Sequence, residues 1–99
     1  MNNLQHKERV KEIKVGDVVK AIAGRDCEKL FVVAEVVDTN YIKIADGKSR
    51  SIKKPKLKKV KHIRMTEWHL QEIAKKLSSK KAIGDKVLAK ALSELTNNP

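Results

Sequence analysis

Residues 16–47 read GDVVKAIAGRDCEKLFVVAEVVDTNYIKIADG in one-letter code, and this stretch decides the fold. Gly16-Asp17 is a turn pair, and Val18 to Ile22 reads as a first strand. Gly24-Arg25-Asp26 interrupts it as a turn or loop. Leu30 to Val37 is a β-branched run so continuous that both of its faces are expected to meet apolar neighbours. Asp38-Thr39-Asn40 signals a hairpin, Tyr41 to Ala45 alternates as a third strand, and Asp46-Gly47 is a tight-turn dipeptide.

Downstream, Ser49 to Lys53 predicts a short fourth strand that Pro55 ends, because proline has no N–H for a ladder. Leu57 to Met65 predicts a fifth, anchored by Val60 and Ile63. Five short strands joined by tight turns imply a small closed or partly closed barrel. From Thr66 the apolar period changes from two to 3.6. Leu70, Ile73, Ala74 and Leu77 form one helical stripe, with Thr66 as the expected N-cap and Met65 stapled to Leu70. Gly84-Asp85 opens a second helix with the stripe Leu88, Ala91, Leu92 and Leu95. The expected division is a polar segment over 1–14 that is disordered or a short helix, a barrel over 15–65, and a helical tail over 66–96.

The charge is concentrated. Residues 48–64, KSRSIKKPKLKKVKHIR, hold nine Lys or Arg and no acid, and so supply most of the formal net charge of +11. Like charge at that density repels itself, and a polyanion that accepts it is the economical explanation. Lysine outnumbers arginine, which favours phosphate contact over base reading, since lysine lacks the bidentate fork. The chain's 99 residues suffice for one small domain with an appendage. No apolar run approaches a membrane span, and the N-terminus lacks the apolar core of a secretory signal. A single cysteine, Cys27, cannot close an intramolecular disulfide, and a cytoplasmic protein is expected.

The segment from Gly16 through Val33 resembles a KOW motif, in which a strand, a glycine-bearing loop and a second strand form an RNA-contacting corner of an SH3-like barrel. Residues Val15 to about Met65 resemble the fourteen-e family of the large ribosomal subunit in archaea and eukaryotes. They are similar, more closely still, to short bacterial KOW-domain RNA-binding proteins related to that family, which often carry a helical tail. Three features carry the likeness: Gly24-Arg25-Asp26 followed by Lys29-Leu30-Phe31-Val32-Val33, then Ile44-Ala45-Asp46-Gly47, then the basic segment closing on Lys58 to Ile63. The resemblance implies a mainly β fold, an SH3-like barrel followed by a C-terminal helical hairpin. One position departs. The family usually has a second glycine where this chain has Glu28, and glutamate does not easily take a left-handed backbone or allow close approach of RNA.

The expected RNA-binding residues are Lys20, Arg25, Lys29, Lys48, Arg50, Lys53, Lys54, Lys56, Lys58, Lys59, Lys61 and Arg64. Arg50 would stack on a base or fork a phosphate, or is a plain surface charge. Tyr41 is a stacking face or a core or rim aromatic, and His62 adds a donor or is a surface strand residue. Trp68 reads as a packing residue that fixes the helix to the barrel. Cys27, His6, His62 and His69 lack zinc-site spacing, no Gly-rich phosphate loop exists, and no nucleophile–base pair is evident, so a non-enzyme without cofactors is expected.

Two functions remain open on these residues. The first is a non-catalytic RNA-binding protein on ribosomal or other structured RNA, with the ribosome as a partner. The second is an adaptor whose tail stripes and basic surface dock an acidic protein. DNA binding lacks a recognition-helix pattern, and oligomeric state is not fixed by anything in the chain.

Overall fold

The computed structural model describes residues 12–96, so the segment expected to be disordered or helical lies almost wholly outside the described residues. Five strands form one antiparallel sheet: β1 (Asp17–Ala21), β2 (Leu30–Val36), β3 (Tyr41–Ala45), β4 (Lys56–Lys59) and β5 (Ile63–His69). Their spatial order is β4-β3-β2-β1-β5. A 3-10 turn, Val60–His62, carries the chain between the two sheet edges. Two helices follow, α1 (Gln71–Ser78) and α2 (Asp85–Thr96). The result is a mainly β, barrel-like domain with a helical tail.

Side chains on a strand alternate between faces, so an apolar run with no polar break must be covered on both. β2 obeys that rule. Phe31 and Val33 join Val19, Ala21, Ile42, Ile44 and Ile63 in an inner core. Val32 faces the other way, with Val18 and Ala45, and is covered by Ile73 of α1 and Leu88 and Leu92 of α2. The helical stripes are therefore spent on the outer face of the sheet. Two close approaches fix them there, each at a glycine with positive φ. A Cβ on Gly47 would collide with the Asp85 carbonyl at the start of α2, and one on Gly16 with the Ala74 side chain of α1.

Four expectations are corrected. Ser49 to Lys53 is not a strand, because its backbone donors go to side chains instead of a neighbouring ladder. The Asp46 carboxylate accepts the N–H groups of Lys48 and Arg50, and Asp85 Oδ1 accepts that of Ile52 at 2.9 Å. The strand beside β3 is β4, which begins just after Pro55. The expected single strand over Leu57–Met65 is two strands on opposite edges, since the 3-10 turn separates them.

Thr66 does not cap a helix. It lies in β5, where its hydroxyl donates to the Val18 carbonyl at 2.7 Å and accepts the Trp68 N–H at 3.1 Å. The helix starts only after Leu70, whose N–H is bound to the Gly16 carbonyl. Met65 and Leu70 pack into different cores and form no staple.

Candidate nucleic-acid interface

β4 is built inside out. Residues opposite each other in an antiparallel pair share a face, and here Lys58 lies opposite Ile42 and Lys56 opposite Ile44. Both lysines thus point to the inner side, while Leu57 points outward and is 52 % exposed. Lysine tolerates this because its methylene stem can run along apolar surface while the ammonium finds a polar partner. Lys58, 8 % exposed, donates to the Ala23 carbonyl at 3.3 Å. Lys56 donates to Asp26 Oδ2 at 3.3 Å, and Lys29 Nζ lies 4.0 Å from the other Asp26 oxygen. Asp26 is itself buried, so its charge is met by two lysines in a partly desolvated site. The basic segment therefore holds the 23–29 loop against the barrel.

The other cations expected to bind RNA fall at five places. Arg25 is exposed on the loop, and Lys29 and Lys48 line one shallow cleft of about 400 Å³ together with Glu28 and Asp46. Lys53 and Lys54 are exposed on the connection into β4. Lys59 and Lys61 are exposed at the far end of β4, around a cleft of about 240 Å³ shared with Asn40 and Tyr41. Lys20 and Arg64 lie opposite each other on β1 and β5, on the outer face of the sheet. Arg50 is half-buried, and its Nε has no hydrogen-bond partner. Its backbone closes the 46–50 loop, with the carbonyl accepting from both Asp46 and Gly47. In that loop burial pushes the Asp46 carboxyl up, but donors from Arg50, Lys48 and Ser49 more than offset this and hold it below its usual value.

Glu28 has the left-handed backbone that glycine would supply, with φ of 73°. Glutamate takes this conformation only at a cost, and two hydrogen bonds that fix the loop ends hold it there. Glu28 N–H donates to the Ala21 carbonyl at 2.7 Å, and Ala21 N–H donates to the Lys29 carbonyl at 3.0 Å. The conformation costs about 1–2 kcal/mol for a residue bearing a Cβ. The Glu28 carboxylate turns to Lys20, with Oε1 3.6 Å from Nζ.

Trp68 is the aromatic that sequence reasoning misplaced. It sits on β5, is 37 % exposed, and belongs to neither core cluster. The alternation Arg64, Thr66, Trp68, polar at its first two positions, was the signal for a solvent-facing row. Tyr41 and His62 are half-buried, and Cys27 is exposed. Among the described residues no three His, Cys, Asp or Glu side chains converge on a site fit for a metal ion, and no helix is long and apolar enough to cross a membrane.

No protein-family model matches the chain. Three curated relatives are the large ribosomal subunit proteins eL14 of Pyrobaculum calidifontis, Pyrobaculum arsenaticum and Pyrobaculum aerophilum, at 36 %, 34 % and 32 % identity. Each alignment runs over 83 residues, 84 % of this chain and 74 % of the relative, and so takes in more than the barrel alone. With identity above three in ten across most of both chains, the protein belongs to the family of the large ribosomal subunit protein eL14.

Proposed function

We propose that this chain is a non-catalytic, cytoplasmic RNA-binding protein that associates with the ribosome through rRNA. Its contacts are to the RNA backbone, made by the 23–29 loop, acting as a KOW-type corner, and by the lysine-rich face around β4. The observation that carries the reading is a division of labour among the lysines. Lys56 and Lys58 are bonded to the loop, while Arg25 and Lys29 on it, Lys48, Lys53 and Lys54 before β4, and Lys59 and Lys61 at the far end of β4 stay exposed. A lysine array of this kind meets phosphates as point charges, and structured RNA is recognised chiefly by shape and backbone. The kinship with eL14 supports the ribosome as the setting. The adaptor reading draws no support from the tail, whose Ile73, Leu88 and Leu92 are buried against the sheet.

The test is a sucrose-gradient fractionation of lysate with and without RNase, in low and high salt, followed by titration of purified protein with structured rRNA fragments. Five to seven phosphate contacts give a slope of log K against log salt of roughly −4 to −6. Replacing Lys53, Lys54, Lys59 and Lys61 by Glu should abolish ribosome migration and flatten that slope without unfolding the protein. Wild-type protein that stays at the top of every gradient and ignores structured RNA at low salt would overturn the reading.

A further inference from the structure

The outer face of the sheet carries a second cleft, lined by apolar surface with charged groups among it, between β1 and β5. The pairing of β1 with β5 is interrupted: the step from Asp17 to Val19 is matched on β5 by the longer step from His69 to Met65. Such a bulge re-aims the side chains it displaces. Thr66 locks this one, tying its hydroxyl to the Val18 carbonyl and to the Trp68 N–H. The indole is thereby placed beside a cleft of about 430 Å³ whose lining includes Lys20, Leu30, Arg64, Thr66 and Glu67. Arg64 is exposed, and Lys20 lies opposite it in the ladder.

An indole left a third exposed, in a domain with only three aromatic residues, is an expense that core packing does not explain. An exposed indole that shares a cleft with two cations matches one ligand chemistry closely: a flat heteroaromatic base joined to a phosphate. Duplex RNA buries its base faces, so only an unpaired nucleotide can use this surface. The one ion pair that touches it, Lys20 with Glu28, is exposed and long at 3.6 Å, so a phosphate can displace the carboxylate at little cost. Glu67 on the rim disfavours a second phosphate at that side and limits the site to a single nucleotide step.

We infer that Trp68, with Lys20 and Arg64, forms a stacking site for one unpaired nucleotide of the bound RNA. This rests on the RNA-binding reading above and adds to it a contact that discriminates unpaired RNA from uniform duplex. The role of Thr66 is to position the indole.

Trp68 is the chain's single tryptophan, so its fluorescence reports on the site directly. Titration with a short oligouridylate, which has no stable secondary structure, should quench that emission. A blunt-ended RNA duplex with no unpaired nucleotide, carrying the same number of phosphates, serves as the comparison and should quench little. In anisotropy measurements with labelled oligouridylate, Trp68→Ala should weaken binding about tenfold or more while leaving the salt slope unchanged. Trp68→Phe should recover most of the affinity, and Lys20→Ala with Arg64→Ala should lower the slope. If Trp68→Ala fails to fold, the wild-type quenching and the Trp68→Phe affinity decide the matter.

Equal quenching by the duplex, no quenching by oligouridylate, or wild-type affinity in a folded Trp68→Ala would each overturn the stacking site. Were structured rRNA still bound in that case, with the glutamate substitutions at β4 abolishing it, the RNA-binding reading would stand without this site. No binding to any RNA would remove both.

Discussion

β2 and β4 belong to the same sheet and are separated only by β3, yet they use opposite chemistry. In β2 the inward residues Phe31 and Val33 are apolar, and the outward Leu30 and Val32 are covered by helices. In β4 the inward residues are Lys56 and Lys58, and the apolar Leu57 faces solvent. The central strand is held by burial of area. The edge strand is held by two ammonium groups that bond a neighbouring loop. An edge can be built this way because one side is open to solvent, and a strand at the edge of a sheet benefits from charge that discourages further pairing. The consequence is functional as well as structural, since anchoring by lysine leaves the same segment rich in positive charge.

The largest effect should come from breaking the apolar side of the contrast. Phe31→Ala should cost about 3–5 kcal/mol in urea unfolding, whereas Leu57→Ala should stay within about 0.5 kcal/mol. A Leu57 variant as damaging as the Phe31 variant would mean that β4 is packed conventionally. Next comes the ammonium anchor. Lys58→Met keeps the stem but leaves the Ala23 carbonyl without its donor, and should lose about 1–2 kcal/mol. Lys59→Met, one position along and exposed, should be close to neutral in stability yet weaken RNA binding. Equal unfolding midpoints for the two would sink the anchoring role.

The smallest effect concerns the loop that the anchors hold. Glu28→Gly relieves the strained φ of 73° but raises the entropy of the unfolded chain. The net should be a gain of no more than about 1 kcal/mol, with a few-fold tighter RNA binding once the negative charge is gone. A clear loss of stability would show that the pairing with Lys20 outweighs the backbone strain.

The residues that specify β1, β2 and β3 could be read directly, because their apolar spacing is set by alternation and their ends by Gly, Asp and Asn. The same holds for the stripes of α1 and α2, and for the segment on which the positive charge lies. Burial is the common cause: a residue type that must leave water announces its face whatever surrounds it. The register of β4, the split of the 57–65 run into two edge strands, and the bulge at Thr66 were decided elsewhere. Each depends on a partner distant in the chain, such as Ala23 for Lys58, Asp85 for Ile52, or Val18 for Thr66. Hydrogen bonds from polar side chains carry no period, so local pattern gives no sign of them. For the same reason Trp68 reads as a core residue in sequence, while only the packed molecule shows both cores complete without it.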